Sequence, residues 1–319
     1  MQDIYQAISD EIGRLHLSRA PQGLYAPIQY ALDSGGKRVR PALALMAADM
    51  LGGKREEVMP LAIALEVFHN FTLLHDDVMD NADTRRGRPA VHKKWNSSTA
   101  ILSGDQMLIE AYKLVAQVPE QYLSVSLSLF NKMATEICEG QQYDMDFENR
   151  TDVAVEQYIE MIRLKTAVLP ATALQLGALV SAANADIQQT IYQFGINLGL
   201  AFQLRDDYLD VYGDPDTFGK PIGGDIVEGK KTFLYITAFA NADSRQYDLL
   251  RTWFTSDDKT AKIENIRLLY SEIGADRICL QEIESYSRKA LDNLEAINVE
   301  EAAKQPLKYL LNKLLHRNT

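Results

Sequence analysis

The chain has 319 residues, a formal net charge of −11 and 46% hydrophobic residues, a composition typical of a globular protein with a large core. The acidic balance argues against nonspecific nucleic-acid binding. The first residues include an acid and no apolar run, so we expect no signal peptide. Cys138 and Cys279 form neither a metal-ligand spacing nor a disulfide framework, and a reduced, cytoplasmic location is therefore expected.

Apolar residues recur at helical spacing along nearly the whole chain. Leu61, Ala64, Leu65 and Phe68 are one example, and runs of alternating Val, Ile and Thr are scarce. Clusters of glycine, proline and aspartate interrupt the pattern, as in helical bundles with short connections. The sequence therefore predicts an all-α fold in which residues 1–319 form one large helical domain.

Two further segments bear on this helical interpretation. No charged residue occurs between Thr166 and Ala185, a length that would span a bilayer. Pro170 and several polar residues interrupt that stretch, so we interpret it as a buried core region and predict no transmembrane segment. The residues from Pro306 to Leu315 are predicted to form a last amphipathic helix with the proline in its first turn.

A glycine turn leads into a helix between Gly35 and Pro41, where the sequence is GGKRVRP. Glycine at Gly36 would let the backbone approach an anion closely, and a helix N-terminus favours negative charge. Lys37 and Arg40 are three residues apart and would share a face suited to a phosphate. A surface turn with basic residues explains this segment equally well when it is taken alone.

Asp76, Asp77 and Asp80 end an apolar run that reaches back to Ala62. Residues three and four apart lie on one helix face, so these carboxylates repel each other. A divalent cation would offset that repulsion, but a solvated helix end is an equally good explanation for one isolated DDxxD cluster. His69 lies two turns before the cluster on nearly the same face, where it is either a core histidine or part of a site.

Asp206, Asp207 and Asp210 repeat the DDxxD spacing after a second apolar run. Two such clusters, each following a buried run, favour a function over a pair of solvated helix ends. Oxygen-only ligands suit a hard cation, and magnesium commonly binds one or two carboxylates together with substrate phosphates. The pattern therefore predicts a magnesium-dependent site for a diphosphate.

Basic residues follow both clusters. Arg85 and Arg86 come after the first cluster, and Lys220 and Lys230 come after the second. Each lysine taken singly is explained by solvation, but the placement after each acid cluster favours a role in binding diphosphate. His75, which directly precedes the first cluster, is interpreted as structural.

These segments resemble the trans-type isoprenyl diphosphate synthases of the polyprenyl synthetase family. The matching motifs are GGKRVRP at 35–41, LHDDVMDNADTRRG at 74–87, KT at 165–166, FQLRDDYLDVYG at 202–213 and GKPIGGDIVEGKKT at 219–232. They occur in the family order and span most of the chain. The resemblance implies an all-α bundle around a deep central cavity, a homodimer, and the extension of an allylic diphosphate by isopentenyl diphosphate.

The resemblance also implies roles for individual residues. Magnesium, as three ions with bound allylic diphosphate, would be held by Asp76, Asp77, Asp80, Asp206, Asp207 and Asp210. The isopentenyl diphosphate site would comprise Gly36, Lys37, Arg40, His69 and Arg86. The allylic diphosphate site would comprise Arg85, Lys165, Thr166, Gln203, Lys220 and Lys230. The residues acting directly in catalysis would be Asp76, Asp80, Asp206, Lys165 and Lys220. The basic C-terminal tail of the family is represented here only by Arg317.

The helix that carries Asp76 also carries candidate residues for product length. In the family, bulky residues just before the first cluster form the floor of the pocket for the growing tail. Phe71, Thr72 and Phe68 lie five, four and eight positions before Asp76. An aromatic residue at the fifth position resembles short-chain synthases, so we predict geranylgeranyl diphosphate, with farnesyl diphosphate as the alternative product. Core packing alone is the competing explanation for Phe71.

Two other functions share part of this pattern. A class I terpene cyclase also uses an aspartate-rich helix and magnesium, but it normally pairs that helix with an Asn/Ser/Glu-type cluster and needs no second diphosphate site. A non-catalytic subunit of a heteromeric synthase would be expected to lose aspartates or basic residues, whereas this chain retains both. We therefore expect a condensing enzyme.

Overall fold

The computed structural model describes residues 1–15, 17–214 and 222–315, with side chains as far as Lys313. Within these residues the chain is helical almost throughout, which confirms the predicted all-α fold. A short antiparallel pairing joins β1, Thr84–Arg85, to β2, Arg88–Pro89. This hairpin lies in the segment that directly follows the first aspartate cluster and contains Gly87 and Pro89. Lys220 and Arg317 lie outside the described residues.

The helix bounds follow the breaks in the sequence pattern. In the first half of the chain the helices are α1 Gln2–Gly13, α2 Gln22–Asp33, α3 Val39–Met50, α4 Arg55–Met79, α5 Val91–Lys94, α6 Ser97–Val115 and α7 Glu120–Glu148. In the second half they are α8 Val155–Ile162, α9 Val168–Val180, α10 Ala185–Tyr212, α11 Gly224–Glu228, α12 Phe233–Asn241, α13 Ser244–Phe254, α14 Lys259–Ile273, α15 Ala275–Ala296 and α16 Glu301–Leu315. A π-helical turn, Arg163–Ala167, joins α8 to α9.

The last helix begins earlier than predicted. It starts at Glu301, so the expectation that Pro306 would stand in its first turn is wrong. Ala302 and Ala303 are strong helix formers, and they extend the helix on the N-terminal side of the proline.

The chain divides into two compact units. The first comprises Met1–Asn131, Thr172–Gln189 and Val299–Pro306, and the second comprises Lys132–Ala171, Thr190–Asn298 and Leu307–Thr319. The first aspartate cluster belongs to the first unit and the second cluster to the second unit. The single domain expected from the sequence stays a prediction.

Helix α4 is the central helix of the first unit. Every residue from 61 to 68 is buried, so the helix is covered on all its faces there. Helices α6 and α3 pack against it. Full burial of a leucine or phenylalanine side chain contributes roughly 1.5–3 kcal/mol, so this run holds α4 firmly. The first aspartate cluster stands at its C-terminal end, where Asp80 is the C-cap residue and its amide donates to the Asp76 carbonyl at 2.8 Å.

Helix α10 is also buried over much of its length, and its residues from Thr190 onward belong to the second unit. Phe194, Leu198, Ala201 and Leu204 are buried along it, and the helix ends two residues after Asp210. Both aspartate clusters therefore lie in the last turns of buried helices. Carboxylates at a helix C-terminus are disfavoured by the helix dipole, by about 0.3–1 kcal/mol each, so both positions favour a neighbouring cation.

One helix among the described residues, α4, is long and apolar enough by composition to cross a membrane. This is weak evidence, because its most apolar stretch is 61% buried inside the protein, as in the core helix of a soluble protein. The uncharged stretch from Thr166 to Ala185 is not one continuous helix, since α9 ends at Val180 and α10 begins at Ala185. Most of that stretch is buried, in agreement with its interpretation as core.

Candidate active site

The aspartates of the first cluster differ in exposure. Asp77 is buried, Asp76 is half-buried and Asp80 is exposed at the end of α4. The Oδ1 atom of Asp77 accepts a hydrogen bond from Nε of Arg85 at 2.9 Å and a second one from the same guanidinium. Asp77 is thus held by strand β1, whereas Asp76 and Asp80 are the more solvent-exposed carboxylates of the cluster.

Four arginines surround His69 in the first unit. Burial, followed by the positive charges of Arg40, Arg86, Arg85 and Arg38, lowers the pKa of His69 well below its usual range. The imidazole is therefore neutral at physiological pH. Arg85 and Arg38 are paired with Asp77 and Glu66, whereas no ion pair to a carboxylate is seen for Arg40 or Arg86 among the described residues, and these two guanidinium groups suit an anion with several negative charges.

The arginines of this cluster have different partners. Arg38 donates to Oε1 of the buried Glu66 at 2.5 Å and to the Leu32 carbonyl at 2.6 Å, so it is bound within the protein. Nε of Arg40 is buried and has no hydrogen-bond partner among the described residues. Burial, together with the charge of Arg86, lowers the pKa of Arg40 despite the opposing effect of Glu66. A buried guanidinium nitrogen of this kind is costly without an acceptor, and a bound diphosphate oxygen would supply one.

The glycine turn is packed against Arg86. The backbone of Gly36 has φ +135°, and a Cβ atom there would lie 2.9 Å from the guanidinium carbon of Arg86. Arg86 itself has φ +54° and donates to the Gly35 carbonyl. Only glycine lets the turn approach this side chain so closely. Lys37 follows the turn and is exposed.

The three residues predicted to set product length lie together on α4. Phe68 is buried, whereas Phe71 and Thr72 are half-buried. The rings of Phe68 and Phe71 are 5.4 Å apart between centroids, and the Thr72 hydroxyl donates to the His69 carbonyl at 2.9 Å. Phe71 is therefore the bulky member of the set that has accessible surface. Its role in product length stays a prediction.

The second cluster lines a pocket of about 280 Å³ in the second unit. Its walls carry acids and lysines together, among them Asp144, Lys165, Asp206, Asp207, Asp210, Asp225 and Lys230. The pocket thus brings together Lys165, Thr166, Gln203 and Lys230, four of the six residues assigned to the allylic diphosphate site. Asp210 also holds the start of helix α11, because its Oδ2 accepts a hydrogen bond from the Asp225 amide at 3.0 Å.

Asp207 is buried and hydrogen-bonded through both oxygens. The Tyr158 hydroxyl donates to Oδ2, and the Gln203 amide donates to Oδ1 at 3.0 Å. Burial and the nearby Asp225 carboxylate raise the pKa of Asp207 to about 7, although both hydrogen bonds oppose that rise. Burial also raises the pKa of Tyr158 well above its usual range, so Tyr158 remains a neutral donor.

Lys165 and Thr166 lie in the π-helical turn. The Nζ atom of Lys165 contacts Oδ2 of Asp144 at 2.5 Å, and the Thr166 hydroxyl donates to Oε1 of Gln203 at 3.2 Å. A π-turn inserts one extra residue into a helix and is frequent at functional sites. Burial would lower the pKa of Lys230, but the carboxylates of Asp225, Asp144 and Asp207 outweigh it and raise the pKa. Both lysines are therefore held by acids within the second unit.

Magnesium fits the donor chemistry of these residues. Among the described residues, no group of three or more His, Cys, Asp or Glu side chains converges closely enough to hold a metal ion by itself. Magnesium commonly needs only one or two protein carboxylates when a substrate phosphate supplies further oxygens. Both clusters offer oxygen ligands in the last turns of their helices, as a hard cation requires.

Comparisons with known proteins agree with the motifs. A family model described as polyprenyl synthetase matches residues 21–273. The chain belongs to the polyprenyl synthetase family. Among relatives, the geranylgeranyl diphosphate synthase of Methanosarcina mazei is 43% identical over 69% of this chain and 68% of that protein. The geranylgeranyl diphosphate synthase of Saccharolobus solfataricus is 38% identical over 90% of this chain and 88% of that protein.

A solved structure extends the similarity to the whole fold. The crystal structure of a geranylgeranyl pyrophosphate synthase matches with a TM-score of 0.95 and 44% identity, covering 100% of this chain and 99% of that one. The family and the all-α fold are therefore shown, whereas the roles of individual site residues stay predictions.

Two acidic partners and one donor in the pocket of the second unit are not among the site residues that the sequence predicts. The Tyr158 hydroxyl donates to Asp207, which lies 49 positions along the chain. Asp144 pairs with Lys165, and Asp225 raises the pKa of Asp207. The only available signal for Tyr158 was its position two helical turns before Lys165, which the π-turn modifies.

Proposed function

We propose that this chain is a magnesium-dependent trans-prenyltransferase that condenses isopentenyl diphosphate with an allylic diphosphate, forms geranylgeranyl diphosphate and releases diphosphate. The observation that carries the proposal is that each unit has a DDxxD cluster at a helix C-terminus beside its own set of basic side chains. Membership of the polyprenyl synthetase family and the two relatives named geranylgeranyl diphosphate synthases support the same reaction.

The arginine cluster around His69 is assigned to isopentenyl diphosphate. Arg40 and Arg86 supply guanidinium groups, and the neutral His69 supplies a ring nitrogen as a hydrogen-bond donor. Gly36 keeps Arg86 in place. This substrate keeps its diphosphate during the reaction. Its site therefore needs only to bind the diphosphate firmly and need not stabilise a leaving group.

The lysine pocket of the second unit is assigned to the allylic diphosphate. Its C–O bond breaks, the diphosphate leaves with the electron pair, and Lys165 and Lys230 stabilise the developing negative charge. The double bond of isopentenyl diphosphate then forms the new carbon–carbon bond, and a proton is lost to the released diphosphate. Asp144 pairs with Lys165, and the carboxylates of Asp225 and Asp144 raise the pKa of Lys230 and keep it protonated.

Magnesium would be held by Asp76 and Asp80 in one cluster and by Asp206 and Asp210 in the other. When bound, it supplies Lewis-acid stabilisation of the leaving diphosphate. The buried Asp77 and Asp207 stand behind these residues and fix the helix ends through Arg85, Tyr158 and Gln203. The count of three ions is carried over from the family.

A homodimer is proposed from an exposed apolar face in the first unit. On α6, Leu102 is 59% exposed and Ile109 is 50% exposed, and Val125 on α7 is 47% exposed. Such surfaces on neighbouring helices commonly mark protein interfaces. A second copy of the chain is the proposed occupant, and light scattering after size-exclusion chromatography tests it. A cytoplasmic location is part of the same proposal.

The test is product analysis with the purified chain. Magnesium, isopentenyl diphosphate and dimethylallyl, geranyl or farnesyl diphosphate are supplied in separate reactions, and the products are measured by mass. Geranylgeranyl diphosphate is expected from each primer. A hydrocarbon formed without isopentenyl diphosphate would show a cyclase instead, and an inactive chain would show a non-catalytic subunit.

A further inference from the structure

An aromatic series runs through the first unit and includes His75, which the sequence marked only as structural. The His75 ring packs edge-on against Phe71 with centroids 4.8 Å apart. Phe71 packs against Phe68, and Phe68 against Phe130 at 5.3 Å. Phe68 and Phe130 are fully buried, so they form a fixed base on one side of Phe71. His75 is the neighbour on the other side.

The His75 ring is fixed by helix α6. Its Nε2 lies 3.1 Å from the Ile101 carbonyl, and because a carbonyl oxygen only accepts, Nε2 must carry the hydrogen. Asp105 Oδ1 is 3.8 Å from the same nitrogen. A Cβ atom at Gly104 would lie 2.6 Å from Cδ2 of His75, so the α6 backbone already touches the ring. There is no room for any larger residue at Gly104.

Helix α6 is itself secured. It packs along α4, and the hydroxyl of its buried Ser103 donates to the Leu24 carbonyl on α2 at 3.0 Å. If His75 is displaced, the half-buried Phe71 therefore moves and helix α6 does not. Because Phe68 blocks the opposite side, Phe71 responds by moving toward its accessible surface.

We propose that His75 and Gly104 are positioning residues that set product length by fixing Phe71. The inference rests on the proposed function, in which Phe71 closes the pocket for the growing tail. The imidazole fills the space between Phe71 and α6. Because Gly104 has no side chain, the imidazole can lie against α6 instead of being pushed toward Phe71. The two residues therefore act on one ring from the same side, and changes at them have opposite effects.

The test compares three variants by product mass with isopentenyl diphosphate and either farnesyl or geranyl diphosphate. His75→Ala leaves space into which Phe71 relaxes, so the ratio of twenty-five-carbon to twenty-carbon product is expected to rise roughly tenfold, as for one to two methylenes of added pocket. Gly104→Ala presses His75 against Phe71, so fifteen-carbon product accumulates from geranyl diphosphate. Gly23→Ala is the matched control, because its added methyl meets nothing within 4 Å.

The double variant His75→Ala/Gly104→Ala keeps the inference testable if Gly104→Ala does not fold. In this variant the methyl group at position 104 meets no imidazole, so folding is expected to be restored. Its products are expected to be at least as long as those of wild type. Unchanged product distributions in His75→Ala and in the double variant, or a shift to shorter products in His75→Ala, overturn the inference.

The wild-type reaction separates this inference from the proposed function. A wild-type chain that makes no prenyl diphosphate overturns both. A wild-type chain that elongates normally, beside variants without opposite shifts, overturns only the role of His75 and Gly104. Product length is the deciding measurement, because a general loss of stability lowers total turnover without lengthening the product.

Discussion

Asp77 and Asp207 occupy the same place in the two DDxxD clusters, and both side chains are buried. Asp77 accepts hydrogen bonds from a cation, Arg85, in a region where arginines predominate. Asp207 is held by the neutral donors Tyr158 and Gln203, in a pocket rich in carboxylates. The same motif is thus embedded in opposite electrostatic surroundings. In the first unit the positive charge near the cluster comes from arginines, whereas in the pocket of the second unit carboxylates outnumber lysines.

The largest expected effect concerns the carboxylates that are proposed to hold metal. Asp76→Asn and Asp206→Asn should each lower kcat about 10²–10³-fold, because each removes electrostatic stabilisation of the leaving diphosphate. Steady-state kinetics at saturating magnesium measure this. Asp83→Asn is the matched control, since that side chain is 86% exposed and lies beyond the cluster. A nearly normal kcat in either cluster variant would show that the two clusters are not both required.

The partners of the buried aspartates give the next effect. Arg85→Ala leaves the buried Asp77 without its cation and should lower the free energy of unfolding by about 2–3 kcal/mol, less than the roughly 3–5 kcal/mol of a fully buried pair because Arg85 is partly exposed. Tyr158→Phe removes a neutral donor and should lower it by about 1 kcal/mol. Urea unfolding at pH 8 without magnesium compares them. Equal losses would mean that the two regions secure their buried carboxylates in the same way.

Asp207 also predicts a dependence of stability on pH. Its pKa is about 7 in the folded chain against an ordinary value of 3.8, so the folded state binds a proton that the unfolded state releases between these values. The metal-free protein therefore loses stability as pH rises from about 4 to 7, and the loss is complete above pH 7. Asp207→Asn removes this titration and should raise Tm at pH 8 by roughly 2–5 °C.

Thermal unfolding with a chelator at pH 8 and at pH 4 measures this effect. The gain in Tm from Asp207→Asn should shrink at the lower pH, where the carboxyl is protonated in the folded state and partly protonated in the unfolded state. Asp77→Asn breaks the pairing with Arg85 and should lower Tm at pH 8. If Asp207→Asn lowers Tm there as well, the contrast between the two clusters does not hold.

The smallest effect separates the two substrates. Gly36→Ala displaces Arg86 and should raise KM for isopentenyl diphosphate roughly tenfold, with little change in KM for farnesyl diphosphate. Thr166→Val, which breaks the contact with Gln203, should raise KM for farnesyl diphosphate only. Gly13→Ala serves as the control, since its methyl meets nothing within 4 Å. An equal rise in both KM values for either variant would contradict the assignment of one substrate to each region.

The sequence was sufficient for the helical class because buried helices such as α4 carry unmistakable apolar spacing. It also located the residues of both clusters, since DDxxD spacing and neighbouring basic residues are local features. It could not identify Tyr158 as a partner of Asp207, because 49 positions separate them and only tertiary packing brings them together. Arg38 shows the same limit, since its place in a basic motif gave no sign of the buried Glu66.

The π-turn at Arg163–Ala167 is a local insertion in a helix that otherwise continues from α8 into α9. Deleting one residue there would leave a regular α-helix of lower local energy and would rotate the residues before the turn by about 100° relative to those after it. Tyr158 and Lys165 would then no longer reach Asp207 and Asp144 from the same side. An insertion or deletion of one residue, which a surface loop tolerates readily, would therefore disrupt the pocket at this point of the chain. A related sequence with a one-residue gap here is expected to lack this pocket.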